Sequence, residues 1–264
     1  MQQQLTAIVT GASEGLGKSF AIELANRNIN LVLVALPGSG LPELASFIRK
    51  NFAVAVHPLE IDLTHAESYA EIFSRLKEQH ITAHLLINNA GLGNWSWFED
   101  KNIAFYKMQI ELNVITPVLL TRLFLAQADA FVTSYILNVG SLGGLFLVPK
   151  KQVYGATKSF IRYFTKCLQL ELCGSNVKLS LLSPGGINTK PELLVMNNTL
   201  KGISKATILE PEQVARIAID GLLKGKKEII PGMVNRLLVL LNSLLPAYIK
   251  DNIIKRRLNT ILVS

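Results

Sequence analysis

Leu5-Thr6-Ala7-Ile8-Val9-Thr10-Gly11-Ala12-Ser13-Glu14-Gly15-Leu16-Gly17 is the stretch from which the rest of this chain is read. Leu5 to Val9 is a short, nearly all-apolar run, and beyond the glycines Leu16 to Arg27 repeats its apolar positions at three and four. That is a strand turning into a helix. In such a unit Gly11 permits a tight turn, Gly15 lets backbone approach a diphosphate, and Gly17 lets helix pack on strand. The helix N-terminus offers its unpaired N–H groups to the anion. A plain strand-to-helix turn uses the same residues, so the context has to separate the two readings.

The context is repetitive in kind. Further apolar runs lie at Leu31–Ala35, Ala53–Val56, Leu85–Ile87, Tyr135–Val139 and Val177–Leu182, and helical patterns at Ala66–Gln79 and Val153–Leu172 lie between them. Strands apolar along their whole length are buried on both faces. The expected fold is therefore α/β: a single Rossmann-type, doubly wound parallel sheet flanked by helices. Turn residues fall at the joins, as in Pro37-Gly38-Ser39-Gly40 and Pro184-Gly185-Gly186. Neither a repeat nor a linker is visible. The chain reads as one dinucleotide-binding and catalytic domain, residues 1–230, with a C-terminal amphipathic helical extension at 231–264 whose change of character begins near Lys224.

Composition narrows the partners. The 264 residues are 49% hydrophobic with 17% charged, and 27 Lys and Arg stand against 19 Asp and Glu, a formal +8. A chain this apolar, with a mean hydropathy of +0.32, is not disordered. Its basic balance raises nucleic acid or a membrane surface. The charge is local, however: Lys224 to Arg257 carries eight bases and two acids, leaving only +2 elsewhere, so no basic stripe crosses the main domain and nucleic acid is not expected. Met1-Gln2-Gln3-Gln4 has no basic n-region, and no secretory signal is expected. Cys167 and Cys173 are too few for a disulfide framework or a zinc site, so a reducing, cytoplasmic setting is expected. His57, His65, His80 and His84 make no metal-spaced pair, and no metal is expected.

Later motifs carry chemistry. Tyr154-Gly155-Ala156-Thr157-Lys158 sets a phenol and an ammonium four apart on one helical face. A free phenol, with a pKa of about 10, is a poor proton shuttle at neutral pH, and a fixed cation brings it toward the working range. Ser141, at the end of the strand Tyr135–Val139, places a hydroxyl where a carbonyl could be held, and Asn113 lies inside a helical pattern. Each has a bland reading as well: an exposed aromatic beside a solvated Lys, a loop Ser, a tolerated helical Asn.

Together these residues resemble the short-chain dehydrogenase/reductase family. The spacing TGxxxGxG, Asp62 after the third strand, Asn88-Asn89-Ala90-Gly91 after the fourth, the order Asn113, Ser141, Tyr154, Lys158, and Pro184-Gly185-Gly186-Ile187-Asn188-Thr189 after the sixth all match in sequence, over about residues 5 to 230. The resemblance implies hydride transfer between a nicotinamide coenzyme and a carbonyl or carbinol carbon. Tyr154 would be the acid/base, Ser141 would steady the oxygen, Lys158 would lower the tyrosine pKa and bind ribose, and Asn113 would support a proton relay. It implies coenzyme contacts from Gly11, Ser13, Glu14, Gly15, Leu16, Gly17, Asp62, Leu63, Asn89, Ala90, Gly91, Tyr154, Lys158, Pro184, Gly185, Ile187 and Thr189.

The pattern departs where coenzymes are told apart. An NAD-preferring member carries an acid where this chain has Ala35, and NADP-preferring members carry a base where it has Leu36 or Glu14. Absence of the acid, with Ser13 and Ser39 as donors, favours NADP(H) over NAD(H). The aromatic and aliphatic residues of the loops, with Trp95, Ser141, Leu142, Gly143, Tyr154 and Met196 as substrate contacts and Lys190 to Ser204 as a lid, point to a lipophilic ketone or alcohol: a long-chain 3-oxoacyl, sphingoid-type or steroid-like compound. A nucleotide-sensing regulatory protein with little turnover is the alternative. The family's habit implies a homodimer or homotetramer, through the helices that carry Asn113 and Lys158. The basic, leucine-rich tail, whose unbroken apolar run is too short to cross a bilayer, would lie on an anionic membrane surface or fold back over the pocket or a partner.

Overall fold

β1 (Thr6–Thr10) is buried at every position and lies third in a seven-stranded parallel sheet of order β3-β2-β1-β4-β5-β6-β7, next to the middle strand. The other strands are β2 (Asn30–Ala35), β3 (Val56–Glu60), β4 (Leu85–Asn88), β5 (Ser134–Val139), β6 (Val177–Leu182) and β7 (Glu228–Ile229). The computed structural model describes residues 4–129, 131–189, 202–246 and 248–249. One face of the sheet is covered by α1 (Gly15–Ala25), α2 (Leu41–Asn51) and α8 (Pro211–Leu223), which follows the short α7 (Gly202–Ala206), through Phe20, Leu24, Leu41, Ile48, Val214 and Ile219. The other face meets α3 (Ser68–Glu78) and α5 (Thr116–Gln127) through Ile72, Phe73, Leu120 and Phe124, with α6 (Gln152–Glu171) beside them. Both faces are dry, which is why the central strands carry no polar alternation. The strand order reverses between β1 and β4, so the crevice beyond their carboxyl ends is where a nucleotide fits such a sheet.

Two readings of the sequence change. The third strand is Val56–Glu60 rather than Ala53–Val56. It is the edge of the sheet: Val56 and Leu59 are buried on opposite faces, while an edge position tolerates the half-buried Pro58 and exposed Glu60 where an interior strand would not. The main domain does not change character at Lys224: β7 pairs with β6, Ser180 Oγ donates to Lys226 O, and Glu228 pairs with Arg162 and Lys166. Lys224, Lys226 and Lys227 therefore belong to the turn from α8 into β7 rather than to a tail. Cys173 is exposed and lies beyond the end of α6, and Cys167 is half-buried, so neither thiol is a core group.

Between α4 (Ile103–Ile110) and α5 the helix widens into a π turn, Glu111–Ile115. The run Ile103–Gln127 is long and apolar enough by length and composition to cross a bilayer. Here it packs against α6 and β4 and carries Asn113 inward. After β7 the chain enters α9 (Met233–Leu244), followed by Leu245 and Pro246.

Candidate active site

The coenzyme end is built from backbone at contact distance. Gly11, at φ +62°, occupies the left-handed region, where a Cβ would meet Ala90 Cα at 2.9 Å; a Cβ on Gly17 would come within 1.9 Å of Gly11 O. Thr10 Oγ1 donates to Ile87 O and accepts from the N–H groups of Asn89 and Ala90, while Asn89 Nδ2 donates to Thr10 O and Gly11 O. The β1 and β4 loops are thus locked to one another. No side chain caps the first turn of α1, and Leu16 and Gly17 are buried, so that turn presents backbone N–H groups. Thr189 approaches the glycine loop from the β6 side, within 3.0 Å of where a Gly15 Cβ would stand. An open helix N-terminus lined by glycine, facing Thr189, fits a diphosphate.

Other residues expected at the coenzyme take more local parts. Asp62 Oδ1 accepts from Thr64 N and Oγ1, hydrogen bonds that hold its carboxyl below the ordinary range against the opposing effect of burial. Leu63 O accepts from Tyr69 Oη and Thr116 Oγ1, tying the loop after β3 to the π turn; burial is the main cause that pushes the Tyr69 phenol up to about 12. Pro184 O accepts from Leu142 N, and Ile187 bridges to Leu209. A Cβ on Gly185 would strike Thr207 O and the Asn235 amide.

At the reacting end, Lys158 is buried and its Nζ donates to Val139 O at 2.9 Å, 5.8 Å from the centre of the Tyr154 ring. Among the described residues no carboxylate pairs with it, and desolvation lowers its pKa to about 8. Tyr154 is pushed up by burial, offset in part by a hydrogen bond with Ser141. Ser141 Oγ also accepts from Gly143 N at 3.0 Å. The phenol ring lies between two glycines: a Cβ on Gly93 or on Gly143 would stand 3.4 Å from it. Asn113 is buried, and its amide accepts from Leu92 N and donates to Leu92 O and Thr157 Oγ1. It therefore braces the loop after β4 directly; a Cβ on Gly91 would lie 3.1 Å from Asn113 Oδ1 and 3.5 Å from Lys158 Nζ.

The expected substrate contacts divide. Trp95 is half exposed at the rim, Gly143 and Ser141 face the phenol, and Leu142 is buried, so its side chain forms wall rather than lining. Met196, with nearly all of the expected lid, lies outside the described residues. Four residues escape the sequence reading. Gln109, fully buried, donates to Leu92 O and Asn94 Oδ1. Glu60, the register partner of Ala35, accepts from Gly38 N, placing an acid beside the loop after β2. Asn235 joins α9 to Thr207 O and Pro231 O. Lys151 stands over the Tyr154 ring at 5.1 Å. For Gln109 a polar residue at a buried helical spacing is a usable signal; Glu60 and Asn235 need the sheet order and the packing of α9.

A doubly wound sheet with an open glycine turn at its switch point, and with Tyr, Lys, Ser and Asn grouped across the crevice, defines a nucleotide-dependent oxidoreductase. The sequence profile of the short chain dehydrogenase family matches residues 5–200. The chain belongs to the short-chain dehydrogenase/reductase family and acts on carbonyl or hydroxyl groups with a nicotinamide coenzyme. An uncharacterized oxidoreductase of Staphylococcus saprophyticus is 30% identical over 220 residues, 83% of this chain and 92% of that one. A very-long-chain 3-oxoacyl-CoA reductase of Danio rerio is 30% identical over 189 residues, 70% of this chain but only 58% of its own length. The solved short-chain dehydrogenase of Sphingobium yanoikuyae in complex with NADPH superimposes with a TM-score of 0.77 at 29% identity, covering 90% of this chain and 93% of that one.

Proposed function

We propose that this chain is an NADP(H)-dependent reductase of lipophilic ketones, with Tyr154 as its proton donor. The observation that carries the reading is the Tyr154 phenol set between the Ser141 hydroxyl and the buried ammonium of Lys158, which among the described residues has no carboxylate partner. When bound, the coenzyme supplies hydride from its nicotinamide ring. Tyr154 gives its proton to the developing alkoxide, Ser141 holds that oxygen, and Lys158 steadies the phenolate left behind. Asn113 keeps the Leu92 loop, and with it the wall of the site, in register. Gly11, Ser13, Gly15, Gly17, Asn89, Ala90, Asp62 and Leu63 line the adenosine and diphosphate side, and Gly91 lies nearer the nicotinamide, beside Asn113 and Lys158. Pro184, Gly185, Ile187 and Thr189 line the nicotinamide side. The NADPH-bound relative and the lack of an acid at Ala35 support NADP(H). Apolar rim residues and the long-chain reductase relative support a lipophilic substrate such as a long-chain 3-oxoacyl compound.

Steady-state assays of long-chain 3-oxo compounds with NADPH and NADH test this. Tyr154→Phe should lower kcat by about 10³-fold while coenzyme Kd stays within a factor of about three; retained turnover would remove Tyr154 from the chemistry, and a lower KM for NADH would reverse the coenzyme preference.

The exposed face of α4, α5 and α6, with Ile110, Leu119, Phe160 and Tyr163, supports a homo-oligomer. Met233, Leu237, Leu240, Leu241 and Leu244 give α9 an exposed apolar face that supports contact with an anionic membrane surface. Co-sedimentation with vesicles containing phosphatidylserine should fall several-fold in Leu237→Ser/Leu241→Ser; equal binding of the variant would dismiss the contact.

A further inference from the structure

Within reach of Tyr154 stands a second cation that the chemistry above does not use. Lys151 precedes the first turn of α6, and its Nζ lies 5.1 Å from the centre of the Tyr154 ring and 5.5 Å from that of Trp95. Its neighbour Lys150 holds its backbone at φ +66°, stands over Trp97 at 4.6 Å, and accepts a hydrogen bond from Ser96 N through its carbonyl. The two lysines thus clamp the tryptophan loop to the start of the catalytic helix. Lys150 needs only the loop. Lys151 is half-buried and faces inward, and no carboxylate among the described residues comes within ion-pair distance of it.

An ammonium partly withdrawn from water gains from an anion beside it. Two ring faces offset part of that loss, and desolvation still lowers the pKa of Lys151. Lys158 differs, because it has the Val139 carbonyl and, in the proposed reductase, the ribose of the coenzyme. Lys151 lies on the rim side, beside the half-exposed Trp95. We propose that Lys151, with the Trp95 and Tyr154 rings, forms a subsite for a carboxylate close to the carbonyl being reduced, so that the substrate is an oxo acid with an apolar tail. The proposal rests on the reductase reading. The cation stands over the same phenol that meets the carbonyl, which favours an anion a few bonds from that carbonyl over the remote phosphates of a carrier thioester.

The test compares 3-oxooctanoate with two neutral compounds, octan-2-one and the N-acetylcysteamine thioester of 3-oxooctanoate, in the full-length protein with NADPH. The expected result is a preference for the free acid of about tenfold in kcat/KM over both neutral compounds. Lys151→Met should collapse that ratio and Lys151→Arg should restore most of it, with coenzyme Kd confirming that both variants are folded. A second readout needs no turnover: 3-oxooctanoate added to the enzyme with NADP⁺ should change tryptophan fluorescence in the wild type and in Lys151→Arg but not in Lys151→Met. If both classes of substrate are reduced with a ratio that ignores Lys151, or if the neutral compounds are preferred, the subsite is wrong and the reductase reading stands. If nothing is reduced but fluorescence reports Lys151-dependent binding, the subsite stands and the reductase reading fails.

Discussion

The crevice between β1 and β4 and the rim around Tyr154 lie on the same carboxyl edge of the sheet, yet they are made of different material. In the crevice the working groups are backbone N–H and carbonyl groups, held by glycines, by Thr10 and by Asn89 at distances with no room for a Cβ. At the rim they are long side chains from loops far apart in sequence, such as Trp95 and Lys151, with Asn113 and Gln109 bracing the loop from behind. A site made of backbone tolerates almost no substitution. A rim made of side chains can change its ligand while keeping its reaction.

The sharpest way to break that contrast is Gly17→Ala. The added carbon has to displace Gly11 O, which Asn89 holds in place, so the substitution should cost about 3 kcal/mol of stability and weaken NADPH binding by at least about 10²-fold. Thermal unfolding and coenzyme titration would measure both, and a variant that binds normally would mean that the crevice is softer than its contacts imply. A smaller effect, of opposite sign in stability and activity, should follow from Lys158→Met. The folded pKa of Lys158, about 8, lies below the ordinary 10.5, so the coenzyme-free protein bears the cost of the buried charge fully below pH 8 and sheds it as pH rises from 8 toward 10.5. Lys158→Met should therefore raise Tm at pH 7, by about 2 kcal/mol of stability. It should also remove most turnover and move the rising, phenolate-dependent limb of alcohol oxidation to higher pH. A lower Tm at pH 7 would show that the hydrogen bond to Val139 outweighs the buried charge. Proton donation in the reductive direction has the reverse dependence: the raised Tyr154 pKa keeps the phenol protonated at neutral pH, and activity falls only as the phenol ionises.

Much of the crevice is legible along the chain because its demands are local. A glycine that must lie within contact distance of a carbonyl six residues away leaves its mark in a short motif, and Gly11, Gly15 and Gly17 are readable for that reason. The order Asn113, Ser141, Tyr154, Lys158 is likewise visible, since three of these four lie at ends of regular elements or on one helical face. The π turn that brings Asn113 inward is not, because widening a helix by one residue leaves the apolar spacing almost unchanged. Glu60 gives no signal because its nearness to the loop after β2 exists only once β3 lies beside β2. Lys150 and Lys151 give no signal in the sequence, because the tryptophan loop they meet lies far from them along the chain. The third strand reads three residues early because its apolar approach, Ala53 to Ala55, resembles an interior strand more than its own edge does.

The parallel α/β architecture, the glycine turn after β1 and the helical pair Tyr154 and Lys158 are fixed by residues close together in the chain. Buried strands, tight turns and i to i+4 helical pairs are all decided by near neighbours. The joining of Glu228–Ile229 to the sheet, and what surrounds the phenol besides Lys158, come only from the folded chain. Those depend on contacts between segments tens of residues apart, whose closure comes from packing the whole sheet and leaves no local pattern to read.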